Sequence, residues 1–145
     1  AAVGVPVIGS GDIFSAADVA AMLERTGVDA VRVARGAQGD PWIFREARAL
    51  LDRGETLPRP TPLERVEMAR EHARALVAFA GEHTVARMRK HIGWYIVGMP
   101  GARHVRDRVN HVTNSAELDS LLGEYEGYLQ HTGSTDDADT SHDEA

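Results

Sequence analysis

The chain has 145 residues, 43% hydrophobic and 26% charged, with 22 acids against 16 bases, a formal charge of −6 and no cysteine. These proportions are ordinary for a globular protein and exclude a wholly disordered, collagen-like or rod-like chain, while the lack of thiols excludes disulfides, thiolate zinc sites, iron–sulfur clusters and cysteine chemistry within this sequence. No apolar run reaches the ~18 residues of a membrane span and no basic-then-apolar leader is present, so a cytoplasmic monomer without membrane contact is expected.

The chain opens on Ala and runs almost at once into the apolar stretch Val3–Ile8. It is therefore expected to begin inside a larger fold. Val5 to Ile8 suits a strand buried on both faces. Ser15, with Asp18 three residues on, predicts a helix start. Val19, Met22 and Leu23 form that helix's stripe, and Gly27 stops it. A second strand is predicted over Asp29–Ala34. Asp40-Pro41 predicts the next helix, with Asp as cap and Pro at its first position. Trp42, Ile43, Phe44, Leu50 and Leu51 form its apolar side, and Gly54 ends it. Two strand–helix units in a row imply parallel strands and an α/β architecture over residues 1–55.

Residues 56–62 hold three prolines and read as a linker. From there the pattern is purely helical. Thr61-Pro62-Leu63-Glu64 is a capping box with Pro at the first position, and its helix is predicted to run to Gly81. A second helix is predicted over about His83–Val97, a short one over about Ala102–Asn110, and a last one capped by Ser115. Four amphipathic helices with short connections predict a bundle-like all-α domain over residues 63–131. Residues 132–145 carry five acids, no Lys or Arg and almost nothing apolar. They are expected to form a disordered acidic tail, and without them the body is near neutral.

Three segments can carry chemistry. Gly9-Ser10-Gly11-Asp12 follows the first strand, and Ala34-Arg35-Gly36-Ala37-Gln38-Gly39 follows the second. Ligands of parallel α/β proteins bind at such carboxyl ends. Glycines there let backbone N–H groups approach a phosphate, and Arg35 adds a fork of donors. The competing reading is tight turns only. Asp12 and Asp40 each fit a ligand or a helix cap, and for Asp40 the cap is favoured. The third segment, Val85–Asn110, holds Arg87, Arg89, Lys90, Arg103, Arg106 and Arg108 against the single acid Asp107, with Trp94 and Tyr95 interleaved. This pattern fits RNA phosphates or an ordinary solvated face; at its spacing Trp94 reads as a core residue. The seven histidines show no metal-ligand spacing, and no nucleophile triad can be built.

Val5-Pro-Val-Ile-Gly-Ser-Gly-Asp-Ile13, Arg35-Gly-Ala-Gln-Gly-Asp-Pro-Trp-Ile-Phe44, Arg89-Lys-His-Ile-Gly-Trp-Tyr95 and Gly98-Met-Pro-Gly101 together resemble the bacterial-type tRNA-dihydrouridine synthases over about residues 3–130. The resemblance implies an FMN-dependent (β/α)₈ barrel followed by a helical tRNA-binding domain, of which this chain holds the last two barrel units and the helices. It implies reduction of the uridine C5–C6 bond in tRNA, with NADPH as electron source. Ser10, Gly11 and Asp12 fall on the family's Asn-Gly-Asp flavin contact, and Ala34 and Arg35 on its Gly-Arg phosphate contact. Ser10, Ala34 and Val97 depart from the family's Asn, Gly and Lys. The family's proton donor is a cysteine, so no catalytic residue is assigned here. The alternatives are a non-catalytic RNA-binding module and another FMN- or phosphate-binding barrel.

Overall fold

The structure, a computed structural model, describes residues 4–136. It divides into two compact units, Ala1–Arg59 and Pro60–Ala145.

In the first unit, β1 (Ile8–Ser10) and β2 (Ala30–Arg32) form a parallel pair with Ile8 opposite Ala30 and Ser10 opposite Arg32. A parallel pair needs a crossover, and helix α1 (Ala16–Thr26) supplies it. Ser15 caps α1 as its sequence predicts: its hydroxyl accepts from the Asp18 N–H at 3.2 Å, while the Asp18 carboxylate accepts from the Phe14 N–H at 3.0 Å. Gly27 ends α1 in a left-handed conformation. Helix α2 (Trp42–Arg53) packs on α1, and the core between them is Ile13, Val19, Ile43 and Ala47.

Two expectations fail in this unit. The first strand lies at Ile8–Ser10, not Val5–Ile8, and it is not buried: Val5 and Ile8 are 67% and 66% exposed. The sheet has two strands, so each keeps an open edge and little to cover its apolar side chains. Asp40 does not cap α2 either. Pro41 occupies the cap position with no side-chain hydrogen bond, and Asp40 accepts from Arg59 at 2.5 Å instead. Arg59 also grips both oxygens of the buried Glu46, at 2.9 and 3.1 Å.

In the second unit, α3 (Pro62–Ala80) starts at the predicted capping box, where the Thr61 N–H donates to Glu64 and the Glu64 N–H to the Thr61 hydroxyl. A 3₁₀ turn (Glu82–Thr84) precedes α4 (Val85–Tyr95), so the predicted helix over 83–97 is shorter at both ends. Helices α5 (Ala102–Val109) and α6 (Ser115–Asp136) follow. α3 packs on α4 and α6, and α5 on α4 and α6. Met88, Ile92, Ile96, Val66, Val109, Leu118 and Leu122 fill the core at 2% exposure or less, each contributing about 1.5–3 kcal/mol by burial.

Arg70 joins α3 to Glu126 and Asp119 of α6 at 2.9 and 3.2 Å. Gly101 takes φ +70° under the Tyr128 ring, where a Cβ would lie 2.9 Å from a ring carbon. Asn114, not Ser115, caps α6: its side chain accepts from the Glu117 N–H at 2.9 Å. Ser115 sits at the first helical position and gives its N–H and hydroxyl to the Glu82 carboxylate. α6 continues through Thr132 to Asp136, into the segment whose composition reads as a tail. The rest of that segment, 137–145, lies outside the described residues.

Candidate functional site

Parallel pairing sets the carboxyl ends of β1 and β2 side by side, so the loops after them meet. Ser10, Gly11 and Asp12 face Arg32, Ala34 and Arg35 across a hollow of about 190 Å³, completed by Ile13 and Phe14. All five residues that the sequence assigns to cofactor binding therefore line one site. Gly11 has φ +147°, and Asp12 is the single non-glycine residue at positive φ among those described, at +44°. Asp tolerates that region better than most residues.

The Asp12 carboxylate accepts from Arg35 Nη2 at 2.7 Å. It caps no helix: α1 is capped by Ser15. The Arg35 guanidinium also lies over the Phe14 ring, 5.5 Å from its centroid. Arg35 opens a 3₁₀ turn (Arg35–Ala37). Gly36 in that turn presses so closely on the first loop that an added Cβ would stand 2.1 Å from the Ile13 carbonyl oxygen. Gly36 thus permits the contact that holds the two loops together. Phe14 escaped the sequence reading as a site residue, and Gly36, read there as one of the loop's phosphate-approaching glycines, packs instead against the first loop. The signal for Phe14 was available, since a large aromatic residue follows the Gly-Asp turn by two positions without joining the helical stripe.

The six predicted RNA-binding residues do not share one environment. Arg87 on α4 and Arg103 and Arg106 on α5 are exposed, with no carboxylate paired to them among the described residues. Lys90 is exposed, and its ammonium lies 5.0 Å from the Trp94 ring centroid. Arg89 turns inward and donates to the Val112 carbonyl at 2.7 Å. Arg108 pairs with Glu124 at 2.6 Å, which raises the pKa of the arginine and lowers that of the carboxylate. The sequence reading grouped all six because charge pattern cannot tell an inward arginine from an outward one.

Trp94 is half-buried rather than in the core. It ends a run of ring contacts across α3 and α4: the Tyr95 hydroxyl lies 3.3 Å from His72 Nδ1, His72 and His91 meet edge-on at 4.9 Å, and His91 meets Trp94 at 5.0 Å. Burial, then His72 and Lys90, lowers the pKa of His91. Among the described residues no His, Asp and Glu side chains gather in a metal-holding group, and no helix is long and apolar enough to cross a membrane.

The first unit sets glycine turns and an arginine at the ends of adjacent parallel strands, and the second is a helical unit with a partly basic surface. The family model for dihydrouridine synthases matches residues 1–130, and the chain belongs to that family. It is 46% identical to tRNA-dihydrouridine synthase B of Pseudomonas putida over 110 residues, covering 75% of this chain and 33% of that protein. It is 42% identical to a probable tRNA-dihydrouridine synthase of Mycobacterium leprae over 125 residues, covering 85% of this chain and 32% of that protein. The chain thus spans about a third of the length of these curated relatives.

Proposed function

We propose that this chain forms the carboxyl-terminal third of an FMN-dependent tRNA-dihydrouridine synthase. In this reading residues 1–55 are the last two units of a (β/α)₈ barrel, residues 56–62 a connection, and residues 63–131 a bundle-like tRNA-binding domain. The observation that carries it is the meeting of Gly11-Asp12 with Ala34-Arg35 at the ends of adjacent parallel strands, the place where such barrels bind phosphate. The exposed Val5, Val7 and Ile8 suit strands that gain neighbours in a full barrel.

The residues fit the phosphate end of the flavin. A hollow of about 190 Å³ is smaller than the ~300 Å³ at which whole-ligand pockets begin, so it suits that end and not the ring system. The backbone of Ser10, Gly11 and Ala34 and the Arg35 side chain would hold it. Because only backbone groups are asked of positions 10 and 34, Ser and Ala serve there in place of the family's Asn and Gly. When bound, FMN reduced by NADPH would supply a hydride to one carbon of the uridine C5–C6 bond, and a proton delivered to the other carbon would complete the reduction. The chain's own part is to bind and orient: its sequence has no cysteine to serve as proton donor. On the helical unit, Arg87, Lys90, Arg103 and Arg106 would meet tRNA phosphates, while Arg89 and Arg108 act on the fold.

The test is flavin titration into the full-length enzyme. Arg35→Ala should weaken FMN binding by about 1–3 kcal/mol through loss of a charge-assisted contact. Unchanged affinity would overturn the assignment.

A further inference from the structure

We infer that Phe14, with Asp12, is a positioning residue that fixes the Arg35 guanidinium over the hollow and thereby sets its affinity for a phosphate monoester. The inference rests on the flavin-phosphate reading of this site and concerns what makes its arginine effective.

Arg35 is exposed, with 71% of its side chain open to water. A free arginine of this kind loses rotamer entropy when an anion orders it. Two contacts on different sides of the guanidinium reduce that loss in advance. Asp12 takes one N–H at the edge, at 2.7 Å. The Phe14 ring lies under the guanidinium carbon, 5.5 Å from ring centroid to Cζ. One N–H of the five-donor fork is used by Asp12, and the others remain for a ligand.

Phe14 is itself held. Its N–H donates to Asp18 at 3.0 Å, and that carboxylate also accepts from the capping Ser15 hydroxyl at 2.8 Å. A Cβ on Gly36 would lie 3.0 Å from Phe14 Cα, so the backbone on which the ring stands abuts the residue after Arg35. Phe14 is 52% exposed and stands outside the core of α1 and α2. Asp12 serves as a partner of Arg35 rather than a direct ligand, because a carboxylate repels a phosphate dianion at close range.

The experiment is FMN titration into the full-length enzyme carrying Phe14→Leu, Phe14→Trp, Arg35→Ala, or Phe14→Leu with Arg35→Ala. Leucine keeps the apolar bulk and removes the π face. Phe14→Leu should raise the FMN dissociation constant roughly two- to fivefold, the worth of an exposed cation–π contact. Phe14→Trp should retain wild-type affinity or better. In the Arg35→Ala background, Phe14→Leu should have no further effect. If Arg35→Ala weakens binding while Phe14→Leu does not, or if Phe14→Leu costs the same in both backgrounds, the positioning role is overturned and the flavin site stands. If Arg35→Ala leaves affinity unchanged, the site reading falls and the inference with it.

Discussion

Arg89 of α4 donates a 2.7 Å hydrogen bond to the carbonyl of Val112, in the connection between α5 and α6. Its Nε is buried without a partner. A cation placed this way braces the helical unit and is poorly available to a phosphate. Arg89→Ala should therefore lower the stability of the unit by about 1.5–3 kcal/mol, the scale of a hydrogen bond to a charged group. Chemical denaturation of this chain measures it. Wild-type stability together with weakened tRNA binding would return Arg89 to the binding surface.

The exposed cations behave oppositely. Replacing Arg103 and Arg106 by Ala removes two solvated charges from α5 and little packing. Stability should stay within about 0.5 kcal/mol. Affinity for tRNA should fall, and the slope of log affinity against log salt should shrink by about two units if both side chains touch phosphate. An unchanged slope would place the RNA surface elsewhere.

Arg59 closes the first unit by pairing with Asp40 and Glu46. Glu46 is 8% exposed, so Arg59→Ala leaves a buried carboxylate without its cation. The arginine is itself largely open to water, which places the cost nearer 1–2 kcal/mol than the larger penalty of a fully buried pair. Substituting Glu46 by Gln alongside should recover part of the loss, because the uncompensated charge is gone. Equal stability of the single and double variants would deny that the loss comes from a buried carboxylate left without its cation.

The histidine contacts predict an acid-sensitive contribution. His91 has a lower pKa folded than unfolded, chiefly through burial and then through His72 and Lys90. The unfolded chain therefore takes up the proton first. Stability is full above the unfolded value of about 6.5 and declines as pH falls below it. Asp18, Glu82, Glu117 and Glu124 also have lowered pKa values through hydrogen bonds, led by Phe14, Ser115, Thr113 and Arg108 respectively. Their contributions are lost in a separate, more acidic window as they protonate. His91→Gln should flatten the decline of denaturation midpoints that begins below about pH 6.5 and leave the more acidic decline in place. A decline of wild-type slope in the variant would remove His91 as its source.

The helices were legible because their signals are local. Ser15 and Thr61 with their acidic partners, and Gly27, Gly54 and Gly81 at the ends, act within a few residues of where they stand. What depends on distant partners was not legible. Asp40 looks like a cap until Arg59, nineteen residues away, is seen to claim it. Ser115 looks like a cap until Glu82 takes its hydroxyl and Asn114 takes over α6. The apolar run Val5–Ile8 reads as buried, yet burial depends on how many strands flank it. At the candidate site the two glycine loops could be read from their place after consecutive strands. The cation–ring contact of Arg35 with Phe14 and the fit of Gly36 against Ile13 needed coordinates.

Unmodified tRNA incubated with the full-length enzyme, FMN and NADPH and then assayed for dihydrouridine decides whether this is a tRNA-dihydrouridine synthase. Nucleoside mass spectrometry should find uridine converted to its dihydro form, carrying two added hydrogens, and Arg35→Ala should slow the conversion at limiting FMN. No dihydrouridine above the enzyme-free control, with a folded and flavin-loaded protein, would contradict it.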